Sequence, residues 1–435
     1  MKSWSVAIGA FLLSGVFSAL NAMGRPLTHD VGQPLMTKGI AQSTSISPHR
    51  AAFHGETPRV FRDGPNMEPE VAAGVPTTVE RVVGQRDTGL ARSIGTVSRD
   101  TPSPIKSTIS PASTNPSVSQ SSPVIQNKPW VLGYYTQYSP DSVASQNSLR
   151  ANLNAVTAIA PLWYSYRADG SLVTMGYHRA FVRTYAVAHG IGVYPLVTNA
   201  GGNDTILTNA TIRGQVVQSL TQMAVRDQYP GYNIDFEQLN YWDRQAMSDF
   251  VVQLADALNP LGKVVTVAVI PKTFTDRYGR AYDYHVLGQY ADKVVLMTYD
   301  YHCIGSAAGP IAPIGWVTDA VNYALSRMPA NKIVLGLAAY GYDWGSDGTT
   351  VEVHDQEAVT LAEDQGVPIQ WNGAYQEPWF TYTSGGVSHT VWFENGYSDA
   401  FKIALAQQDH LGGVAIWRLG DEDSHLWAAL DNVGY

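Results

Sequence analysis

The chain has 435 residues, with 28 basic and 37 acidic side chains for a net charge of −9, one cysteine, and an aromatic share of 11% against 15% charged. The acidic excess falls on residues 128–435, which hold 17 basic and 29 acidic residues, so that part lacks the clustered Lys and Arg that nucleic acid or an anionic lipid surface requires. The lone Cys303 excludes an intramolecular disulfide and any cysteine-based zinc or iron–sulfur site, while many rings among few charges suit a neutral, ring-faced ligand such as a sugar.

At the amino terminus Lys2 precedes an apolar stretch from Trp4 to Leu20 and then Asn21-Ala22. A charged start, an apolar run and a small residue form the pattern of an export signal over 1–22; the alternative is an uncleaved membrane anchor, the one route by which a membrane becomes a partner. Either way the folded part is expected outside the cytoplasm, in the periplasm, the cell envelope or the medium. Residues 23–127 show no sustained period, and the run from Ser98 to Asn127 is dominated by Ser, Thr and Pro. Such a segment buries too little apolar surface to offset its ordering entropy, so it reads as a disordered tether.

From Lys128 onward short β-branched and aromatic runs alternate with helical patterns, the signature of a parallel sheet built from βα units. Eight strands are expected, at 130–135, 155–166, 192–199, 231–237, 264–270, 293–300, 332–341 and 412–419. Between them, stretches such as 243–258 carry apolar residues at helical spacing. Eight units over about 300 residues predict an α/β fold, a closed (β/α)8 TIM barrel over 128–435. The gap before the last strand exceeds one helix, and its aromatic segments 378–383 and 390–395 predict a small β-rich insertion between the seventh and eighth strands. An open doubly wound sheet is the alternative, although no Gly-rich dinucleotide fingerprint follows the first strand.

In a barrel the chemistry gathers at the carboxyl ends of the strands. The fourth strand, GYNIDFE, places Asn233, Asp235 and Glu237 on one face and Ile234 and Phe236 on the other. Two carboxylates at i and i+2 repel each other, and with partial burial one of them is raised toward the range of a general acid. Spacing alone also fits a pair of strand-end acids that bind backbone amides or a barrel-filling arginine.

The string PGYNIDFE resembles the DxxDxDxE signature of glycoside hydrolase family 18. MTYD at 297–300 resembles the sixth-strand motif of that family, and GGVAIWRLGDED at 412–423 its eighth-strand segment. The resemblance implies Glu237 as general acid, Asp235 as the group that orients the substrate's N-acetyl, and Tyr299 as the hydrogen-bond donor to it. It also implies Met297 and Asp300 beside the sugar and Trp417 as the stacking platform. Two positions depart from the signature: Pro230 stands for the first Asp and Asn233 for the second. The Asn form, together with the MTYDxH run to His302, resembles the branch of spore-cortex and cell-wall glucosaminidases.

The implied activity is retaining, substrate-assisted hydrolysis of β-linked N-acetylglucosamine glycans, with an N-acetylated polysaccharide or oligosaccharide as partner and no metal or organic cofactor. The alternative is a non-catalytic, lectin-like barrel, yet the acid Glu237 is present. Tyr134, Tyr135, Trp163 and Tyr164 near early strand ends are candidates for lining a sugar groove or for barrel packing. Asn199 and Gln137 are candidate hydroxyl or amide partners, and His302 a candidate neighbour of the acid. Trp392 and Glu394 are candidates for a groove wall supplied by the insertion.

Overall fold

The computed structural model describes residues 129–275 and 278–432; the signal or anchor at 1–22 and the tether at 23–127 lie outside the described residues. Strands are numbered in chain order. Eight parallel strands close on themselves: β1 (Trp130–Tyr135), β2 (Ala158–Tyr166), β5 (Leu196–Asn199), β6 (Gly231–Asp235), β7 (Val264–Val269), β8 (Lys293–Leu296), β9 (Ile333–Ala338) and β15 (Gly413–Trp417). Closure comes from β1, which pairs with β2 (Leu132 beside Ala158) and with β15 (Trp130 beside Gly413). Helices cover the outer face, and the apolar side chains of strands and helices form one continuous core.

The third barrel strand is split. Its first residues form β4 (Gly192–Val193), and the ladder is interrupted at Tyr194-Pro195 because proline has no N–H to donate; the Pro195 carbonyl still accepts from Asn233 N at 3.1 Å. A short β3 (Leu172–Thr174) runs back antiparallel along the end of β2.

Alternation along β6 works as its sequence requires. Tyr232 turns outward and donates its hydroxyl to the Leu220 carbonyl on the helix Ala210–Arg226 at 2.9 Å. Phe236 packs its ring on Phe250 of the helix Arg244–Leu258, 5.0 Å between centroids. The intervening Asn233 and Asp235 therefore face the barrel interior.

Between β9 and β15 lies a five-stranded antiparallel sheet in the order β11-β10-β14-β13-β12, from β10 (Gly341–Gly345), β11 (Thr350–Val353), β12 (Gln370–Asn372), β13 (Glu377–Ser384) and β14 (Val387–Phe393). The helix Asp355–Asp364 packs on it around Val353, Ala358, Phe380, Val391 and Phe393. The β-rich insertion thus sits where the sequence places it, and is larger than its two aromatic runs suggest.

Candidate active site

β6 ends at Asp235, and the next two residues carry the chain past the barrel rim, so Asp235 and Glu237 lie at the carboxyl end of the fourth strand, 3% and 7% exposed. Their carboxyl groups lie close enough that each alters the other's affinity for a proton. One oxygen on each, Asp235 Oδ1 and Glu237 Oε2, is buried without any hydrogen-bond partner, the arrangement expected where a ligand completes the set.

Burial lifts both groups out of the ordinary carboxylate range. Asp235 is pushed up to about 7 by desolvation, which the adjacent Glu237 partly offsets. Glu237 is raised well above its ordinary value, first by desolvation and then by the negative charges of Asp235 and Asp300. The pair therefore holds a proton near neutral pH, and Glu237 is the member that keeps it.

β8 stops at Leu296, so the MTYD run is not strand but the turn beyond it, where Tyr299 N donates to the Met297 carbonyl at 2.8 Å and Asp300 takes a left-handed φ of 59°. Burial and then the charges of its neighbours hold the Tyr299 phenol far above its usual value, so it remains a hydrogen-bond donor. Asp300 Oδ1 accepts from Tyr340 at 2.8 Å and Tyr342 at 2.9 Å. Desolvation raises Asp300 to about 6 despite those two donors. Trp417, at the end of β15, meets the Tyr134 ring edge-on at 5.1 Å and is joined to Arg418 through a cis peptide. Met297 is buried in the barrel core beneath this rim.

Several expected sugar contacts have other duties. Asn233 is fully buried; Nδ2 donates to Thr266 Oγ1 at 2.8 Å, and Oδ1 accepts from the Tyr134 hydroxyl at 3.4 Å. It supports the floor below Asp235 and is closed to a ligand. Asn199 turns its amide onto the backbone of Glu237, accepting from its N at 2.8 Å and donating to its carbonyl at 2.9 Å. Tyr135 alternates outward toward Arg150, and the Tyr164 hydroxyl bonds that of Tyr229 at 2.9 Å, with Trp163 tilted on the same Tyr229 ring. These three are packing residues: Tyr135 alternates outward on β1, and the bulge between Leu162 and Tyr164 of β2 lets the adjacent Trp163 and Tyr164 reach the same Tyr229 ring.

Gln137 is buried with Oε1 unpartnered. His302 Nδ1 bonds the Ala307 carbonyl at 3.0 Å and braces its own loop. Glu394 is not a groove wall: it is fully buried and ion-paired to Lys402 at 2.7 Å. Trp392 stacks on Trp379, 5.5 Å apart with planes at 14°.

Three residues escaped sequence reasoning. Tyr282 donates its hydroxyl to the Phe236 carbonyl at 2.7 Å and lies in a stretch with no strand to flag it. Tyr340 and Tyr342 straddle Gly341 where the seventh strand passes into the insertion, and that i, i+2 tyrosine pair was the available signal. Among the described residues one group brings metal-ligand types together: Glu352, His354 and Asp421, whose ligand atoms lie within 4.8 Å. They join only in the fold, and Arg418 Nε already pairs with Asp421 at 2.7 Å.

Residues 131–423 match the family model of the glycosyl hydrolases, family 18. An uncharacterized glycosylase of Bacillus subtilis (strain 168), YvbX, is 30% identical over 315 residues, 68% of this chain and 90% of the relative. Among solved structures, the Bacillus cereus spore cortex-lytic enzyme SleL aligns with a TM-score of 0.66 at 29% identity, covering 71% of this chain and 74% of that one. A chitinase from Chromobacterium violaceum ATCC 12472 aligns with a TM-score of 0.65, also at 29% identity, covering 70% and 98%.

Proposed function

The chain belongs to family 18 of the glycosyl hydrolases, and on that premise we propose that it cleaves β-linked N-acetylglucosamine glycans with retention, using the substrate's own acetamido group as nucleophile. It is a glycosidase. The observation that carries the mechanism is the closeness of the buried Asp235 and Glu237 carboxyl groups, each of which alters the other's affinity for a proton. Glycosidases that use two carboxylates directly hold them about 5–5.5 Å apart for retention or 6.5–9.5 Å apart for inversion, on opposite sides of the anomeric carbon. Two carboxyl groups in mutual contact cannot flank a sugar ring. Family 18 is a recognised exception to that scheme, and the contact between these two side chains is a physical reason for it.

Glu237 gives its proton to the glycosidic oxygen as the bond breaks. The acetamido oxygen attacks the anomeric carbon from the opposite side, with Tyr299 donating a hydrogen bond to it and Asp235 facing the positive charge that develops on the cyclised oxazolinium. Water then opens that ring on the same face the leaving group left, and Glu237, now a carboxylate, takes the water's proton. Trp417 offers the apolar platform for the sugar. Peptidoglycan is the favoured polymer, supported by Asn233 in the signature and by the likeness to the spore cortex-lytic enzyme. The amino-terminal charged and apolar pattern supports action outside the cytoplasm.

The test is product analysis by mass spectrometry and NMR on peptidoglycan, chitin and a poly-N-acetylglucosamine, each also fully deacetylated. Release of β-anomers from the N-acetylated polymers only is the expected result. Fast cleavage of deacetylated polymer, or an α-anomer as first product, would overturn the mechanism.

A further inference from the structure

The acid stands where its strand has ended. β6 gives its last ladder contact where Asp235 lies beside Thr198 of β5, so the backbone groups of Phe236 and Glu237 have no strand partner, yet they carry the residue whose position matters most. Side chains take the place of the ladder. Asn199, the residue after Thr198, closes a two-point clamp on Glu237, accepting from its N at 2.8 Å and donating to its carbonyl at 2.9 Å. From the other flank the Tyr282 hydroxyl donates to the Phe236 carbonyl at 2.7 Å. All three contacts are buried, where such bonds are little weakened by water.

The clamp is itself anchored. Asn199 Nδ2 also donates to the Asn203 carbonyl at 3.1 Å, and Asn203 Nδ2 donates to the Tyr166 carbonyl of β2 at 3.0 Å. Beyond the acid, Gln238 turns into the left-handed region with φ 58° and lays its side chain against Gly202, where an added Cβ would come within 2.4 Å of Gln238 Oε1. The second, third and fourth barrel strands are thereby tied to one peptide unit.

We propose that Asn199 and Tyr282 are positioning residues for the general acid, fixing the Phe236–Glu237 peptide so that the Glu237 carboxyl meets the leaving-group oxygen and the partner Asp235. The inference rests on the reading of Glu237 as proton donor. A positioning role makes a specific demand: loss of the clamp injures the proton transfers of Glu237, first to the leaving group and later from water, because the acetamido attack, Tyr299 and Trp417 are left in place. Misplacing a reacting group by about 1 Å is enough to cost on the order of 10²-fold.

The experiment compares Asn199→Ala and Tyr282→Phe with wild type on two N-acetylglucosamine oligosaccharides of the same length, one ending in a sugar leaving group and one in a dinitrophenyl group that departs without protonation. The expected result is a fall in kcat/KM, which reports the bond-cleaving step, of about 10- to 100-fold on the sugar leaving group for Asn199→Ala and a smaller fall for Tyr282→Phe. On the dinitrophenyl substrate the change in kcat/KM should stay within about threefold, because that cleavage needs no proton and the ratio does not include the later water step. Thermal unfolding checks each variant, and the isosteric Tyr282→Phe keeps the test decisive should Asn199→Ala fold poorly. Equal losses on the two substrates, or none on either, overturn the positioning role while leaving wild-type glycosidase action intact. A wild type inactive on both overturns the functional reading and the inference with it.

Discussion

Asp235 and Glu237, two residues apart on one face of the chain, bury their carboxyl groups side by side at the rim of the barrel, where each alters the other's affinity for a proton. Replacing either one by its amide keeps the shape and changes the charge. Glu237→Gln should lower kcat/KM by about 10²–10⁴-fold on natural glycans and recover in part on a substrate with an activated leaving group. Asp235→Asn should lose a comparable factor without such recovery, because the developing oxazolinium has lost its counter-charge. Steady-state kinetics on both substrate types separates them; equal recovery of the two variants would show that the roles are not divided in this way.

Activity should follow a bell in pH whose alkaline limb is the loss of the proton held on Glu237. The Asp235 charge is one of the forces that raises Glu237, so Asp235→Asn should move that limb to lower pH in what activity remains. An unmoved or raised limb would contradict the assignment of the limb to Glu237.

The same raised groups act on stability. A carboxyl with a folded-state pKa above its unfolded value contributes stability fully below about pH 4 and loses it as pH rises through the folded value. With Asp235 near 7 and Glu237 raised in the same direction, the site should destabilise the fold as pH rises from about 4 through the Asp235 value and beyond. Glu237→Gln should raise Tm at pH 8 more than at pH 5. Thermal unfolding at the two values is the check, and an equal shift at both would remove Glu237 as the source.

Where the insertion meets the barrel, Lys402 on the helix Gly396–Gln408 is fully buried with Nζ on Glu394 Oε2, and Glu377 lies close by, its carboxylate accepting from Ile311 N and Ala312 N at 2.7 and 2.8 Å. Lys402→Met would leave Glu394 without its counter-ion and should cost about 3–5 kcal/mol. Denaturant unfolding measures it, and the loss should shrink when Glu394→Gln is added.

Trp417 should act on affinity more than on chemistry. Removing its face in Trp417→Ala should forfeit about 1.5–3 kcal/mol of binding, or roughly tenfold to a hundredfold in kcat/KM, seen on sugar and dinitrophenyl leaving groups alike.

The barrel was legible because βα alternation repeats eight times and each strand's apolar run announces itself. Asp235 and Glu237 were legible because they interrupt such a run, whereas Trp417 was singled out by the resemblance of its eighth-strand segment alone. What the sequence concealed is the support for those groups. Nothing about Asn199 in isolation tells whether its amide faces a sugar or a neighbouring backbone; only the register of β5 beside β6, with the split at Pro195, decides that. Glu394 read as a groove-wall acid because nothing in the sequence shows that Lys402, on the helix Gly396–Gln408 that follows it directly, turns its ammonium inward to meet it. Tyr340 and Tyr342 looked like strand aromatics, and their duty toward Asp300 depends on the path into the insertion.

The pairing of Trp130 with Gly413 sets a schedule for synthesis. A ribosome adding about 5–20 residues per second takes roughly 15–60 s to go from the first barrel strand to the last, and for all of that time β1 has a neighbour on one side only. The ring cannot be completed piecemeal, so a nascent chain carries an open, apolar sheet edge until its final strand emerges. Holding factors that mask that edge should therefore govern how much of this protein reaches its native state in a heterologous host.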